Sequence, residues 1–176
     1  MKLRYFFLAI GLLMAVMACK QTEQDTRGVG TPAIGERMQM ASFKLPSLTD
    51  KSIIDSKQLD GKVLLVTFFA TWCPPCIQEI PSLVSLQDSF KSKGFSVLAF
   101  SVDEGDLAPL YNLIDKFGIN YPVLLAEPEI ARSFGGVTGI PATFLVNGQG
   151  QILKKYMGYV SHDFLEEDIK SMLAAK

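Results

Sequence analysis

Apolar residues form two kinds of run along this chain, and the difference between them predicts an alternation of strands and helices. Val63 to Phe69 and Phe95 to Val102 are almost continuously apolar and bounded by turn residues, which is typical of strands buried on both faces. Elsewhere apolar residues recur every three or four positions, as on one face of a helix. This spacing predicts helices from Cys76 to Lys93, around Leu107 to Phe117, from Glu129 to Phe134 and around Leu165 to Leu173.

Shorter apolar runs predict five further strands and, with them, the class of the fold. Strands that alternate with helices and end in a hairpin and a last helix predict an α/β domain, whose mixed central sheet is flanked by helices. Two strands around a Thr-Asp-Lys turn predict an N-terminal β-hairpin. The short strands are predicted at Ser42 to Leu48, Ser52 to Ile54, Val123 to Leu125, Ala142 to Val146 and Ile152 to Tyr159.

The N-terminal segment differs from this pattern and predicts export. Lys2 and Arg4 precede an apolar run from Tyr5 to Met17, which is the layout of an export signal. The run is shorter than the ~20 residues needed to cross a bilayer, so cleavage is favoured and an uncleaved anchor stays as the alternative. Residues 20–39 are polar and show no apolar period, so they are predicted to be a flexible linker.

A short motif at the end of that run assigns the first of the three cysteines. Val16-Met17-Ala18-Cys19 resembles the bacterial lipobox, in which a small residue precedes a cysteine that is diacylated and becomes the mature N-terminus. The resemblance implies a signal peptide at 1–18, lipidation at Cys19, a lipid-anchored linker at 19–39 and a folded domain at 40–176. Two acyl chains hold a protein stably at a membrane, so we expect it in the bacterial envelope, facing the periplasm or the exterior. Ordinary cleavage after Ala18, which leaves a free Cys19, is the alternative.

Composition and charge narrow what this domain is expected to bind. A chain of 176 residues that is 48% hydrophobic suits one well-buried domain. The formal net charge is −1 and lysines and arginines do not cluster, so nucleic-acid binding is not expected. The sequence has no nicotinamide or flavin motif, so no cofactor is expected beyond a pair of redox-active cysteines.

Cys73 and Cys76 lie where a predicted strand ends and a predicted helix begins. A bridge across so short a loop stabilises a fold only weakly, so the pair is interpreted as reactive rather than structural. The positive end of a helix dipole favours the thiolate, which is the form that attacks disulfides. Pro74 and Pro75 suit a first helical turn, where an N–H has no partner in any case. Cys73 is therefore predicted to be the exposed nucleophile at the helix cap, and Cys76 the better-covered resolving cysteine.

Other uses of a Cys-x-x-Cys pair lack residues that they need. A structural zinc site needs two more ligands, but the chain has one histidine, His162, and no second cysteine pair. Covalent haem needs a histidine where Ile77 stands. The approach of a peroxidatic cysteine needs Thr or Ser three residues earlier, where Cys73 has Ala70 and Cys76 has Cys73. A copper carrier has only soft ligands in its favour, since the methionines are concentrated in the signal and the linker. A lipid-anchored metal-binding chaperone without turnover stays as a rival.

Two motifs carry a family resemblance that covers the chain from about Met40 to its end. The first is Phe-Ala-Thr-Trp-Cys-Pro-Pro-Cys, from Phe69 to Cys76, and it continues to a glutamate and a proline. The second is Gly-Ile-Pro-Ala-Thr-Phe-Leu-Val, from Gly139 to Val146. Together they resemble the TlpA/ResA-like thiol–disulfide reductases, which implies a thioredoxin-like fold. The stretch from about Phe95 to Phe117 resembles the strand–helix insertion that distinguishes this family and the peroxiredoxins from plain thioredoxin.

The resemblance also implies roles for residues around the cysteine pair. Pro81 matches a proline that kinks the helix, so its role is structural. Ile140 and Pro141 match a cis-proline loop that faces the dithiol and pairs with an extended substrate segment. Trp72 is expected to pack against the active-site surface and to contribute to partner docking.

Glu79 matches a glutamate near the dithiol in this family. It is of more interest because this chain lacks an acidic residue that ordinary thioredoxins have. On a helix Glu79 follows Cys76 by three residues and shares its face, where a carboxylate would raise thiol pKa values and relay a proton to Cys76. Ordinary thioredoxins carry a buried carboxylate on the strand before the motif, but the matching residue here is Thr67. A solvated glutamate on the helix surface is the alternative.

The function implied by the resemblance is reduction of disulfides in exported proteins, with apocytochrome c as the substrate that the family suggests. A membrane electron-donor protein would then reduce the cysteine pair again. A net oxidant or isomerase would use the same chemistry, because the direction depends on the reduction potential, which the residues between the cysteines do not fix.

Overall fold

Seven strands and four α-helices follow one another along residues 38–175, the part of the chain that the computed structural model describes. The predicted order of elements is confirmed, with differences at their ends. The strands are β1 (Lys44–Pro46), β2 (Ile53–Asp55), β3 (Val63–Phe69), β4 (Phe95–Ser101), β5 (Val123–Leu125), β6 (Ala142–Val146) and β7 (Ile152–Met157). The helices are α1 (Pro74–Phe90), α2 (Ala108–Phe117), α3 (Pro128–Ser133) and α4 (His162–Ala174), and short 3-10 turns lie at Ser56–Leu59 and Lys91–Lys93.

The last strand is shorter than predicted because Gly158 leaves the strand conformation. Its φ is 78°, which lies in the left-handed region that favours glycine. Its N–H donates a hydrogen bond to the Pro141 carbonyl oxygen at 2.9 Å. Residues 158–160 therefore turn towards the loop before β6 instead of continuing β7.

β3 is the central strand of a five-stranded mixed sheet with the order β5-β4-β3-β6-β7. It pairs in parallel with β4 over its whole length and antiparallel with β6, where Leu64 lies opposite Val146 and Phe68 opposite Ala142. All seven of its residues are buried, as predicted for a strand covered on both faces. The predicted N-terminal hairpin is formed by β1 and β2 as a separate antiparallel pair.

Successive side chains of β3 point to opposite faces of the sheet and so enter two different cores. Leu65 and Phe69 pack with the buried faces of α1, α2 and α4. Phe68 packs on the other face, where its ring centroid lies 5.3 Å from those of Phe100 and Phe134. The hairpin covers this second core, with Leu45 and Ile54 packed against it.

The directions of the strands separate two ends of the sheet. Because β4 is parallel and β6 antiparallel to β3, the end of β3, the end of β4 and the start of β6 share one edge. The turn between β6 and β7 lies at the other edge. The chain enters the domain there, since Met40 N–H donates to the Gly150 carbonyl and Ile152 N–H to the Met38 carbonyl.

Several predictions made from the N-terminal sequence lie outside the described residues. These are the signal peptide at 1–18, the lipidated Cys19 and the linker up to residue 37. Within residues 38–175, no helix combines the length and the apolar character that crossing a bilayer requires.

Phe100→Ala is expected to destabilise the domain by about 3–5 kcal/mol, because the side chain is fully buried between aromatic rings. The free energy of unfolding from urea titration measures the loss. Tyr111→Ala, at a residue that is 43% exposed on α2, is the control and is expected to cost less than about 1 kcal/mol. Equal losses in the two variants would contradict the assigned core.

Candidate active site at the start of helix α1

The reactive pair lies in the turn that joins β3 to α1. Cys73 has an extended backbone and is the N-cap residue of α1, and its N–H donates to the Ala70 carbonyl at 3.2 Å. A disulfide joins Cys73 to Cys76, and their Cα atoms lie 5.3 Å apart. The structure therefore holds the predicted pair in its oxidised form, at the predicted helix start.

Cys73 is less exposed in this oxidised form than the sequence predicted. The residue is 4% exposed and Cys76 is 2% exposed, so the expectation of an exposed Cys73 is wrong for the disulfide state. The bridge joins the Cys73 sulfur to a residue inside the first turn of α1, and Ile140 packs against the apolar cluster that contains both cysteines. Trp72 is 68% exposed, so the packing expected of its ring is not observed either.

The first turn of α1 leaves few amides that can face a sulfur atom at the cap. Pro74 and Pro75 carry no N–H, and Ile77 N–H donates to the Cys73 carbonyl at 3.1 Å. The Cys76 N–H is the amide of this turn that remains for a Cys73 thiolate. With the positive end of the helix dipole, it stabilises the charged form of the nucleophile.

A carboxylate that the sequence analysis missed fixes the turn before Cys73. Asp103 follows β4, and its carboxylate accepts hydrogen bonds from Thr71 N–H at 3.0 Å and from Thr71 Oγ1 at 2.7 Å. Ser101 Oγ donates to the same carboxylate at 2.7 Å. The sequence did contain a signal, since Asp103 is an acidic residue directly after a predicted buried strand. Parallel neighbouring strands end at the same edge of a sheet, so such a residue is expected near the end of β3.

The loop before β6 comes to this same edge. The Ile140–Pro141 peptide bond is cis, as the resemblance implied. Ala142, the next residue, lies opposite Phe68 near the end of β3. Because Gly158 N–H already occupies the Pro141 carbonyl, the backbone on the Ile140 side is the part left for a substrate segment. Pairing with substrate stays a prediction.

Glu79 lies inside the protein, one turn along α1 from Cys76. It is 2% exposed, so the alternative of a solvated surface glutamate is wrong. Its Oε1 accepts a hydrogen bond from Val160 N–H at 2.6 Å. Burial raises the pKa of this carboxyl from 4.5 to about 7, although the Val160 N–H favours the charged form. A carboxyl with this pKa can accept and return a proton at neutral pH.

A small cavity of about 10 Å³ connects Glu79 with Cys76. Thr67, on β3, lines this cavity, and its hydroxyl accepts a hydrogen bond from the Thr143 hydroxyl at 3.1 Å. The acidic residue in the cavity is Glu79, so it comes from α1 and not from β3. Tyr121 also lines the cavity, and the sequence analysis did not single it out. Its only signal in the sequence was weak: a polar aromatic residue shortly before a predicted core strand. The contact of Val160 with Glu79 could not be predicted from residue type, because it is made by the backbone N–H and not by the side chain. The cavity is lined by Thr67, Phe69, Cys76, Glu79, Ile80, Leu83, Ala99 and Tyr121.

Pro81 lies within α1, two residues after Glu79. Its ring nitrogen cannot donate to the Ile77 carbonyl one turn earlier, which removes one hydrogen bond of the helix. The residue is exposed and makes no polar contribution to the cavity. Its position agrees with the structural role that the resemblance implied.

Comparison with known proteins identifies close likenesses in sequence and in fold. The Redoxin family model matches residues 33–173. The thiol-disulfide oxidoreductase ResA of Bacillus subtilis (strain 168) is 29% identical over 167 residues, covering 94% of this chain and 92% of ResA. ResA of Bacillus thuringiensis (strain Al Hakam) is 30% identical over 141 residues, covering 78% and 80%. A thiol:disulfide interchange protein of the thioredoxin family from Chlorobium tepidum TLS has a TM-score of 0.72 and 36% identity, covering 80% of this chain and 99% of that protein.

Glu79→Gln is expected to remove a pH dependence of stability. The folded pKa of about 7 lies above the usual 4.5, so the folded state holds the proton more tightly and the wild type loses stability as pH rises between these values. The loss is on the order of 3 kcal/mol. Glutamine keeps an oxygen for the Val160 N–H but does not titrate.

Urea unfolding at about pH 3.5 and about pH 8 measures this difference, because these values lie below and above both the usual pKa of 4.5 and the raised pKa of about 7. Glu129→Gln, at an exposed residue of α3, is the control and is expected to follow the wild type. An equal pH dependence in wild type and Glu79→Gln would contradict the raised pKa of the Glu79 carboxyl.

Proposed function

Because the chain belongs to the Redoxin family and is a ResA-like thiol–disulfide oxidoreductase, we propose that it works as a reductase of disulfides in exported proteins. The observation that carries this proposal is the Cys73–Cys76 disulfide at the start of α1, with a buried carboxyl one turn further along the helix. The first feature supplies two electrons when reduced. The second supplies a proton acceptor next to the resolving cysteine.

The proposed reaction is two successive exchanges of a sulfur–sulfur bond. The Cys73 thiolate attacks one sulfur of the substrate disulfide, a mixed disulfide forms, and the departing substrate sulfur takes a proton. Cys76 then loses its proton and attacks the Cys73 sulfur. The substrate leaves as a dithiol, and the enzyme is left with the Cys73–Cys76 disulfide, so two electrons have moved to the substrate.

Glu79 is proposed to accept the proton of Cys76 in the second step. It shares a helix face and a cavity with Cys76. Both of its protonation states are populated near neutral pH, because burial raises its pKa to about 7. Thr67 cannot take this role, since a hydroxyl does not ionise in this pH range.

Substrate docking is proposed at the surface around the disulfide. Trp72 offers an exposed aromatic face next to Cys73. The backbone at Ile140, next to the cis peptide bond, is proposed to pair with an extended substrate segment. Both features lie at the edge of the sheet where β3 ends.

The cellular setting of the reaction is part of the same proposal. The signal-like residues 1–18 and the lipobox-like Cys19 support attachment to a membrane of the bacterial envelope, on the non-cytoplasmic side. Apocytochrome c is proposed as a substrate. A membrane electron-donor protein is proposed to reduce the Cys73–Cys76 disulfide again after each turnover.

Cys73→Ser is expected to lower the rate of insulin disulfide reduction at least a hundredfold, because it removes the attacking sulfur. Cys76→Ser is expected to accumulate mixed disulfides on Cys73 in cells, which mass spectrometry identifies together with the trapped partners. Purified Cys19→Ser is the control and is expected to keep the wild-type rate. Reduction that persists in Cys73→Ser, or an empty trap in Cys76→Ser, would rule out the assigned roles.

The reduction potential of the Cys73–Cys76 couple tests the direction. A reductase is expected to have a potential more negative than about −200 mV, because electrons must flow towards the substrate disulfide. Equilibration with glutathione or dithiothreitol buffers measures it. A value near about −120 mV, which is typical of strong oxidants, would overturn the reductase proposal and favour net oxidation.

A further inference from the structure

Tyr121 is a buried ionisable residue that the reaction described above does not use. It lies in the loop before β5, is 3% exposed, and lines the same cavity as Glu79 and Cys76. Its backbone is fixed, because the Tyr121 carbonyl accepts a hydrogen bond from Thr49 Oγ1 at 2.9 Å. The side chain is packed in the apolar core on the α1 side of the sheet, and the residue forms part of the cavity wall.

Two polar atoms of residues that line this cavity make no hydrogen bond to other protein groups in residues 38–175. Glu79 uses Oε1 for the Val160 N–H, and neither its second oxygen nor the Tyr121 hydroxyl has a hydrogen bond to the protein. No polar side-chain atom of the described residues is both fully enclosed and unpaired, so each of these two atoms keeps some accessible surface. They are the groups that a molecule in the cavity would contact.

The size and the polar lining of the cavity suit one water molecule. Its volume of about 10 Å³ is at the lower limit for a single water, which also needs two to four polar partners. Three of the residues that line the cavity, Thr67, Glu79 and Tyr121, carry polar groups that can serve as these partners. Thr67 accepts from Thr143 Oγ1 and so keeps its own hydrogen available for donation.

We propose that Tyr121 is a positioning residue for proton relay, whose hydroxyl donates a hydrogen bond to the Glu79 carboxylate through a water molecule held in this cavity. The inference deepens the proposed function, because it rests on Glu79 as the proton acceptor of Cys76. Water next to the Cys76 side chain gives the proton a path from sulfur to carboxylate. Tyr121 keeps that path and the carboxylate in one arrangement.

The electrostatics of Tyr121 agree with a donor that never becomes a base. Burial and the charge of Glu79 both raise the pKa of the Tyr121 hydroxyl far above neutral, so it stays protonated at every working pH. A donor that binds the charged form of a carboxyl lowers the pKa of that carboxyl. On this proposal Tyr121 therefore opposes the effect of burial on the pKa of Glu79, as the Val160 N–H does.

Few other titratable groups surround Glu79 in the described part of the chain. Cys76 precedes it on the same helix face. On α4, His162 contacts α1 through Ser82, with its Nδ1 3.0 Å from Ser82 Oγ. The remaining elements present groups that do not titrate in this range, namely Thr67 and Phe69 of β3, Ala99 of β4 and the Val160 amide after β7.

Tyr121→Phe in the full chain tests the inference, because it removes one oxygen and keeps the ring. The pKa of Glu79, followed by the ¹³C shift of its carboxyl in NMR, is expected to rise by roughly 0.5–1 unit. The pH profile of insulin reduction is expected to shift upward in parallel. Tyr156→Phe is the matched control: its hydroxyl binds Asp168, away from the cavity, so the Glu79 titration is expected to stay unchanged.

An unchanged Glu79 titration in folded Tyr121→Phe would overturn the inference. A crystal structure of the unaltered chain gives a second test that needs no variant. It is expected to show an ordered water within hydrogen-bond distance of both the Tyr121 hydroxyl and Glu79, and an empty cavity would overturn the inference.

Failure of the inference can be told apart from failure of the proposed function with Glu79→Gln. If Glu79→Gln alters the pH profile of reduction and Tyr121→Phe does not, Glu79 acts as the acceptor without help from Tyr121, and the inference is wrong. If Tyr121→Phe moves the Glu79 pKa while Glu79→Gln leaves the pH profile unchanged, the hydrogen bond stands, but the relay role proposed for Glu79 is wrong.

Discussion

The pairing of β3 on both sides is the constraint on which the rest of this structure depends. Its parallel neighbour β4 ends beside it, and its antiparallel neighbour β6 begins beside it. Those two directions bring together three segments that are far apart in sequence: the Cys73 turn, the Asp103 carboxylate and the cis Ile140–Pro141 peptide. A shift of one residue in either register would send every side chain of β3 to the wrong face, and two full apolar cores oppose it.

The burial of Glu79 is the main conflict between stability and chemistry in the domain. A carboxyl on the apolar face of a helix is costly, and one hydrogen bond from the Val160 amide offsets only part of that cost. Violations of folding rules concentrate where a protein does chemistry, and this one lies one turn from Cys76. Thr67, on the neighbouring strand, takes a neutral hydroxyl partner in Thr143 instead of a charge.

The sequence was sufficient for the features that depend on local pattern. Apolar runs located β3 and β4, helical spacing located α1, and the cysteine spacing located the redox pair. The Ile140–Pro141 cis bond followed from family resemblance alone. Pattern could not locate the Val160 amide or the Asp103–Thr71 contact, because both depend on which segments the tertiary fold brings together. The low exposure of Cys73 was missed because it depends on the bridge to Cys76 and the packing of Ile140.

The point at which the chain enters the domain has a consequence for how the protein is presented. Met38 to Met40 are hydrogen-bonded to the β6–β7 turn, at the edge of the sheet away from the disulfide. β3 separates the two edges by roughly 20 Å, since a strand rises about 3.3 Å per residue. On the proposed attachment at Cys19, the nineteen residues to Met38 span at most about 65 Å. That reach exceeds the separation of the two edges, so attachment by residues that precede Met38 would not by itself confine the disulfide to one distance from a membrane.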